Sequence, residues 1–157
     1  MDEITTYEWL LFGHILAVIG WVGANIALQV LAFRARRAGG QRMIDLLGDA
    51  AWMGTHYFIP ISLLVVVLGF GLINESNGAY DLGQFWVSAG LAMFLVSFAT
   101  GAGFLGPESE RIFKLSGQRT PDDSEVQRRA NRLFLVARIE LILLILVVFD
   151  MVAKPGL

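Results

Sequence analysis

The chain has 157 residues, 55% of them hydrophobic and 17% charged, with a formal net charge of −2. The apolar residues are gathered into four long runs, so little sequence remains for a water-soluble catalytic domain, and any chemistry must sit between helices or at their ends. The absence of cysteine excludes disulfides, thiolate metal sites and cysteine nucleophiles, and acids and bases segregated along the chain build no basic face for nucleic acid.

The first run, about Trp9 to Phe33, is long enough to cross a bilayer as a helix. The opening MDEITTYE is acidic and the run continues well past the length of a signal-peptide core, so this span is expected to stay in the mature protein. At 100° per residue His14, Val18, Trp21 and Asn25 share one face. Gly13, Ala17, Gly20 and Ala24 form a stripe of small residues that permits close helix contact. Ala38-Gly39-Gly40 then breaks the helix.

The second run spans about Ala50 to Ile73. Asp45, Asp49, Trp52 and His56 share one helical face, and this polar stripe, like that of the first helix, is expected to face the bundle interior. Pro60 lies four residues after His56 and removes the amide that would bond its carbonyl, which predicts a kink and a free backbone acceptor beside the imidazole. Asn74 to Gly78 reads as a polar turn.

The third run, about Phe85 to Leu105, contains the small positions Ala89, Ala92, Ser97, Thr100 and Gly101 and is expected to end at Gly106-Pro107. The next residues, with Ile112, Phe113 and Leu115 among Glu110, Arg111 and Lys114, read equally as a short helix on the inner membrane surface or an ordered loop. Thr120-Pro121-Asp122-Asp123 has the pattern of a helix start, with a capping hydroxyl, proline at the first position and acids in the first turn. The fourth run, about Leu133 to Val152, therefore belongs to a helix that begins well before its apolar part. Trp9, Trp86, Tyr7 and Tyr80 suit an aromatic belt at the opposite surface.

The bases orient the whole. Arg34, Arg36, Arg37 and Arg42 follow the first run, and Arg111, Lys114, Arg119, Arg128, Arg129 and Arg132 separate the third from the fourth. The positive-inside rule places both connections in the cytoplasm and both termini outside. Short connections make successive spans antiparallel neighbours. The expected fold is all-α: a single transmembrane domain over residues 1–157, an up-down four-helix bundle in the bacterial inner membrane with the lipid bilayer as its surroundings.

Ionisable groups inside a membrane are costly and mark function unless a structural partner accounts for them. His14, Asn25, His56, Arg138, Glu140 and Asp150 lie within or at the edges of the runs, with Asp49 at the entrance of the second. Counting about 1.5 Å per residue puts His14 and Asp150 in an outer layer, where they can pair, and the others in an inner one. Arg138 and Glu140 are about 200° apart on their helix. Glu140 is the inward candidate, with His56 as a possible partner, because Arg138 can snorkel to headgroups. His14 and His56 differ in depth by roughly 18 Å, too far to clamp one heme coaxially. A heme on a single His, separate sites, or a heme shared by two His14 residues of a homodimer stay open.

Leu11-Phe12-Gly13-His14-Ile15-Leu16-Ala17-Val18-Ile19-Gly20-Trp21-Val22-Gly23 resembles the first helix of a group of small bacterial membrane proteins in which a His near the outer end is followed by an aromatic-Gly pair. The group contains the four-helix heme-binding protoporphyrinogen oxidases, copper-resistance-D-type proteins and a family of predicted integral membrane proteins of uncharacterised activity. Gly106-Pro107 followed by Arg111, and the ending Asp150-Met151-Val152-Ala153-Lys154-Pro155-Gly156, are most similar to the last. The resemblance to the oxidase implies that His14 is a heme ligand. The oxidase pattern also places a Lys in the third helix, and here that helix has neither Lys nor His.

The reading that follows is a small inner-membrane redox protein holding heme b through His14, the metal ligand, with His56, Trp21 and Asn25 as further cofactor contacts. Two alternatives come from other classes. One is a non-catalytic accessory or assembly subunit bound to a partner membrane subunit. The other is a proton or small-solute pathway in which Asp49, His56 and Glu140 are relay sites within a buried polar network that includes Asp150 and Arg138.

Overall fold

Helix formation follows the four apolar runs and overshoots every one of them at the end where the basic residues lie. The computed structural model describes residues 4–156; the acidic opening residues 1–3 and residue 157 lie outside the described residues. Four long helices account for most of these: α1 (Thr6–Ala38), α2 (Gly40–Glu75), α3 (Phe85–Ser116) and α4 (Ser124–Ala153). Among the described residues there is no strand. For α1 the start is written locally as a capping box: the Glu8 amide donates to Thr5 Oγ1 and the Thr5 amide donates to Glu8 Oε2. Two orphan donors are thereby satisfied at once. Gly39 alone joins α1 to α2; its φ of 66° is left-handed, a conformation glycine adopts without a Cβ penalty.

Two prolines sit inside helices, and neither ends one. Before Pro60 the backbone widens into a π-helical turn at Gly54–Phe58, and before Pro107 into another at Gly101–Leu105. The wider turn makes room for a ring that would clash with the carbonyl four residues back in a regular helix. Both follow the same pattern, Gly54 to Pro60 and Gly101 to Pro107, a glycine six residues before a proline. The two turns face each other: a Cβ built on Gly54 would lie 3.5 Å from the Gly106 Cα. At Pro60, where a kink is expected, the helix carries a π-helical bulge and continues to Glu75, and the expected end of the third helix at Gly106-Pro107 is overturned, because α3 runs on to Ser116.

That extension is packed rather than laid on a surface. Ile112 is 0% exposed, enclosed with Met43, Ile44 and Leu47 of α2, Ala32 of α1, and Val126, Ala130, Leu133 and Phe134 of α4. A second cluster fills the middle of the bundle with Ala17, Trp21, Val65, Phe94 and Leu144. Packing is most extensive between α1 and α2 and between α3 and α4, with α2 meeting α3 along the basic end and α4 meeting α1. The helices therefore follow one another around an up-down bundle, and α2 and α4 stand across its diagonal.

The start of α4 also corrects the sequence reading. Asp123, not Thr120, is the N-cap, and its carboxylate accepts from the Glu125 amide at 2.9 Å. Glu125 accepts from Arg128 and Arg129, and Arg129 reaches on to the buried Glu108 at 2.9 Å. The Glu125 backbone amide holds the Asp123 carboxyl below its usual range, and Arg128 and then Arg129 do the same for Glu125. Depressed carboxyls contribute stability that is present above their ordinary values of 3.8 and 4.5 and lost as pH falls through the lowered ones. Acid should accordingly fray the first turns of α4 before the rest of the bundle. Amide hydrogen exchange near Val126 would accelerate below pH 4 while that of Leu144 stays slow; equal acceleration at both would refute the assignment.

At the other end Trp86 is buried under Tyr80, whose ring lies 5.2 Å away edge-on, and Lys154 donates to the Tyr80 hydroxyl at 2.7 Å. That bond lowers the Tyr80 phenol from its ordinary value. Of the tryptophans expected in an aromatic belt, Trp9 is 60% exposed and Trp86 is enclosed.

Helices α1, α2 and α3 are each long and apolar enough to cross a membrane. The apolar stretch of α4 carries Arg138, Glu140 and Asp150.

Candidate functional site

The bundle holds a small, mainly apolar chamber with a few polar groups in its wall, where the two π-helical turns meet. Its volume is about 110 Å³, and its walls come from all four helices: Trp21 and Asn25 of α1, Ser62 of α2, Ser97 and Ser109 of α3, Glu140 of α4. Gly54, Gly101 and Gly106 line it where the backbone is widened, so the bulges supply part of the space. It has room for several waters.

Glu140 is the one ionisable residue in this wall. It is 5% exposed, whereas Arg138 is exposed, the division expected from their positions around the helix. Its partner is not His56. Ser97 Oγ donates to Glu140 Oε1 at 2.7 Å, and Oε2 is buried without any hydrogen-bond partner. Buried acceptors are nearly always satisfied, so the orphan oxygen of a residue that lines this space points to a proton bound on the carboxyl. Nearby polar groups are committed in a way that leaves acceptors free. Ser62 Oγ donates to the Ile59 carbonyl at 2.9 Å, and Asn25 Nδ2 donates to the Trp21 carbonyl at 3.1 Å, leaving Oδ1 open.

Other candidates are placed elsewhere. His14 is half-buried between α1 and α2, and its Nδ1 donates to the Val65 carbonyl at 2.9 Å. It makes no pair with Asp150, which lies beside Gly90 on α3 and keeps a buried, unpartnered Oδ2. Asp45, Asp49, Trp52 and His56 all face outward, overturning the expectation that their stripe points inward. The reason is competition: Met43, Ile44 and Leu47 mark the opposite face of the same helix, and their burial decides its rotation. His56 Nδ1 donates to the Trp52 carbonyl at 3.0 Å, and its ring stacks on the indole at 4.7 Å.

The two histidines cannot grip one heme. Val65, which anchors His14, is nine residues beyond His56 on α2, an axial separation of roughly 13 Å at helical rise. The chamber includes neither of them, and its volume is below the ~300 Å³ at which small-molecule pockets begin. Within one chain the residues do not fit an enclosed porphyrin. Among the described residues no three of His, Asp or Glu gather as a metal site.

Ser97, Ser62 and Ser109 are the site residues that sequence reasoning passed over; Ser97 reads there only as a small position. The detectable signal is the repeated glycine-to-proline spacing, which brings two widened turns level with an intramembrane-type carboxylate. No family model, curated protein or solved structure matches the chain.

Proposed function

We propose that the chain spans the bacterial inner membrane with all four helices, basic end in the cytoplasm, and that Glu140 is the proton-binding carboxyl of a proton or small-solute pathway. The observation that carries this reading is that Glu140, which lines the chamber, is buried with its Oε2 left without a partner. The membrane part rests on the outward surface, where Phe12, Ile19, Val67, Phe85, Phe149 and Val152 are each at least 60% exposed, far more apolar area than a soluble monomer leaves to water. In this reading Ser97 fixes the carboxyl through Oε1, a proton is taken up at Oε2, and chamber waters held by Asn25 and Ser62 carry it to and from that oxygen.

A hydrophobic carbodiimide, which reacts with protonated carboxyls inside membranes, tests the site. Wild-type protein in native membranes should be modified on the Glu140 side chain itself, located by fragment mass spectrometry, and Glu140→Gln should lose that modification. Modification confined to Asp150, the other buried carboxyl, would sink the relay reading and favour an accessory subunit. A single cysteine at Gly117 should react with an impermeant maleimide only in inverted vesicles; labelling from the outside would reverse the orientation.

The second reading is heme b held through His14. What favours it is the Nδ1 bond to Val65, which fixes the tautomer and leaves Nε2 as a free acceptor, the arrangement of a ligating imidazole. Because no slot encloses it, the porphyrin would lie against the outside of the α1–α2 pair. A reduced-minus-oxidised absorption spectrum of the purified protein, lost in His14→Ala, is the outcome this reading requires.

A further inference from the structure

The outward stripe of α2 is left without any account by the chamber. Asp49, Trp52 and His56 are exposed, Trp52 by 62%, and in the membrane-spanning reading, on which this inference rests, they face lipid. Charged and hydrogen-bonding groups are rarely left there unpaired. Across the diagonal, the outward face of α4 has the opposite character, with Arg128, Arg132 and Arg138 exposed around Leu135 and Ile139. Arg132 contacts the Phe104 ring, and among the described residues Arg138 has no ion-pair or side-chain hydrogen-bond partner.

The two faces match in depth as well as in sign. α2 and α4 run in the same direction, and both line the chamber, α2 between Leu46 and Ser62 and α4 between Leu133 and Glu140. Counted from the middle of each lining stretch at helical rise, Asp49 and Arg132 both lie roughly 7 Å toward the basic end, and His56 and Arg138 both lie roughly 2–3 Å beyond the middle. The hydrogen-bond chemistry is complementary too. His56 spends its Nδ1 proton on the Trp52 carbonyl, so Nε2 is an acceptor, and an arginine has only donors to offer.

We propose that this protein assembles with further copies of itself in the membrane, the Asp49–Trp52–His56 stripe of one copy docking on the Arg132–Leu135–Arg138 face of the next. Asp49 pairs with Arg132, Arg138 donates to His56 Nε2, and Trp52 covers Leu135. Because the two faces lie on opposite sides of the bundle, the contact is heterologous: each copy uses one face toward one neighbour and the other toward the next, which produces a ring if the rotation closes.

The chain's lack of cysteine makes the test direct. Trp52→Cys and Leu135→Cys are single substitutions at exposed positions. Reconstituted together in liposomes, in one orientation, and oxidised, the two proteins should form a mixed disulfide dimer. Either protein alone should stay uncrosslinked, since no copy presents the same residue to its neighbour. In the full-length protein, Asp49→Arg should shift the assembly toward monomer by native mass spectrometry, Arg132→Asp should do the same, and the double exchange should recover it. Self-crosslinking of Trp52→Cys would replace the heterologous contact by a two-fold one, and monomer with no disulfide in either mixture would remove the interface. Recovery of the protein from the soluble fraction would instead remove the membrane reading on which both faces depend.

Discussion

Ile112→Ala should lower the unfolding free energy by about 2–5 kcal/mol, the range for truncating a buried isoleucine where the surroundings cannot collapse into the space. Ile112 is 0% exposed, with Met43, Ile44 and Leu47 on one side and Val126, Ala130, Leu133 and Phe134 on the other. Ile112 is the fully buried apolar side chain in the part of α3 beyond Pro107, so the loss falls on the contact that ties α2, α3 and α4 together at the basic end. Val152→Ala is the control: at 78% exposure it should change stability by less than about 0.5 kcal/mol. Chemical unfolding in a mild detergent, followed by near-ultraviolet circular dichroism, measures both. If Ile112→Ala costs no more than Val152→Ala, the segment after Pro107 lies on a surface after all.

Ser97→Ala should cost about 1–3 kcal/mol, because it strips the remaining hydrogen bond from a buried carboxyl and leaves both oxygens unsatisfied. The hydroxyl removed is itself small; the penalty belongs to Glu140. The double variant Ser97→Ala/Glu140→Met should return close to wild-type stability or exceed it, since replacing both polar partners by apolar groups of similar shape is nearly neutral. It should at the same time lose carbodiimide modification at position 140. A structural role for Glu140 makes the opposite prediction, with the double variant less stable than Ser97→Ala alone. Thermal unfolding of the four proteins of the cycle separates the two.

Much of the architecture was legible in the chain itself. Four apolar runs, each of spanning length, dictate four helices because a buried backbone must satisfy its own hydrogen bonds, and the glycine pair at Gly39 and the polar stretch after Asn74 dictate where the chain reverses. The inward aim of Glu140 was legible too, since a single helix's wheel puts it opposite Arg138, and only the arginine has a stem long enough to escape sideways. The capping box at Thr5 and Glu8 is equally local. Helix ends at the prolines were not. Whether Pro107 stops a helix or is absorbed by a π-helical turn depends on what the following residues gain by continuing, and that gain is the burial of Ile112 against helices distant in sequence.

Rotation and register were decided in the same way. The face holding Asp49, Trp52 and His56 competes with the face holding Met43, Ile44 and Leu47, and periodicity shows both stripes without saying which the neighbours will cover. His14 and Asp150 were placed in one layer by counting, yet each meets a different helix, because depth along an axis carries no information about which side of the bundle a residue occupies. The sequence determined the helices, their order and the inward carboxylate, all of which follow from local hydrogen bonding and hydrophobic length. Only the tertiary structure decided that Ser97 is its partner, that two widened turns open a chamber beside it, and that the second polar stripe points away, because each of those depends on how four helices rotate to bury the most apolar surface together.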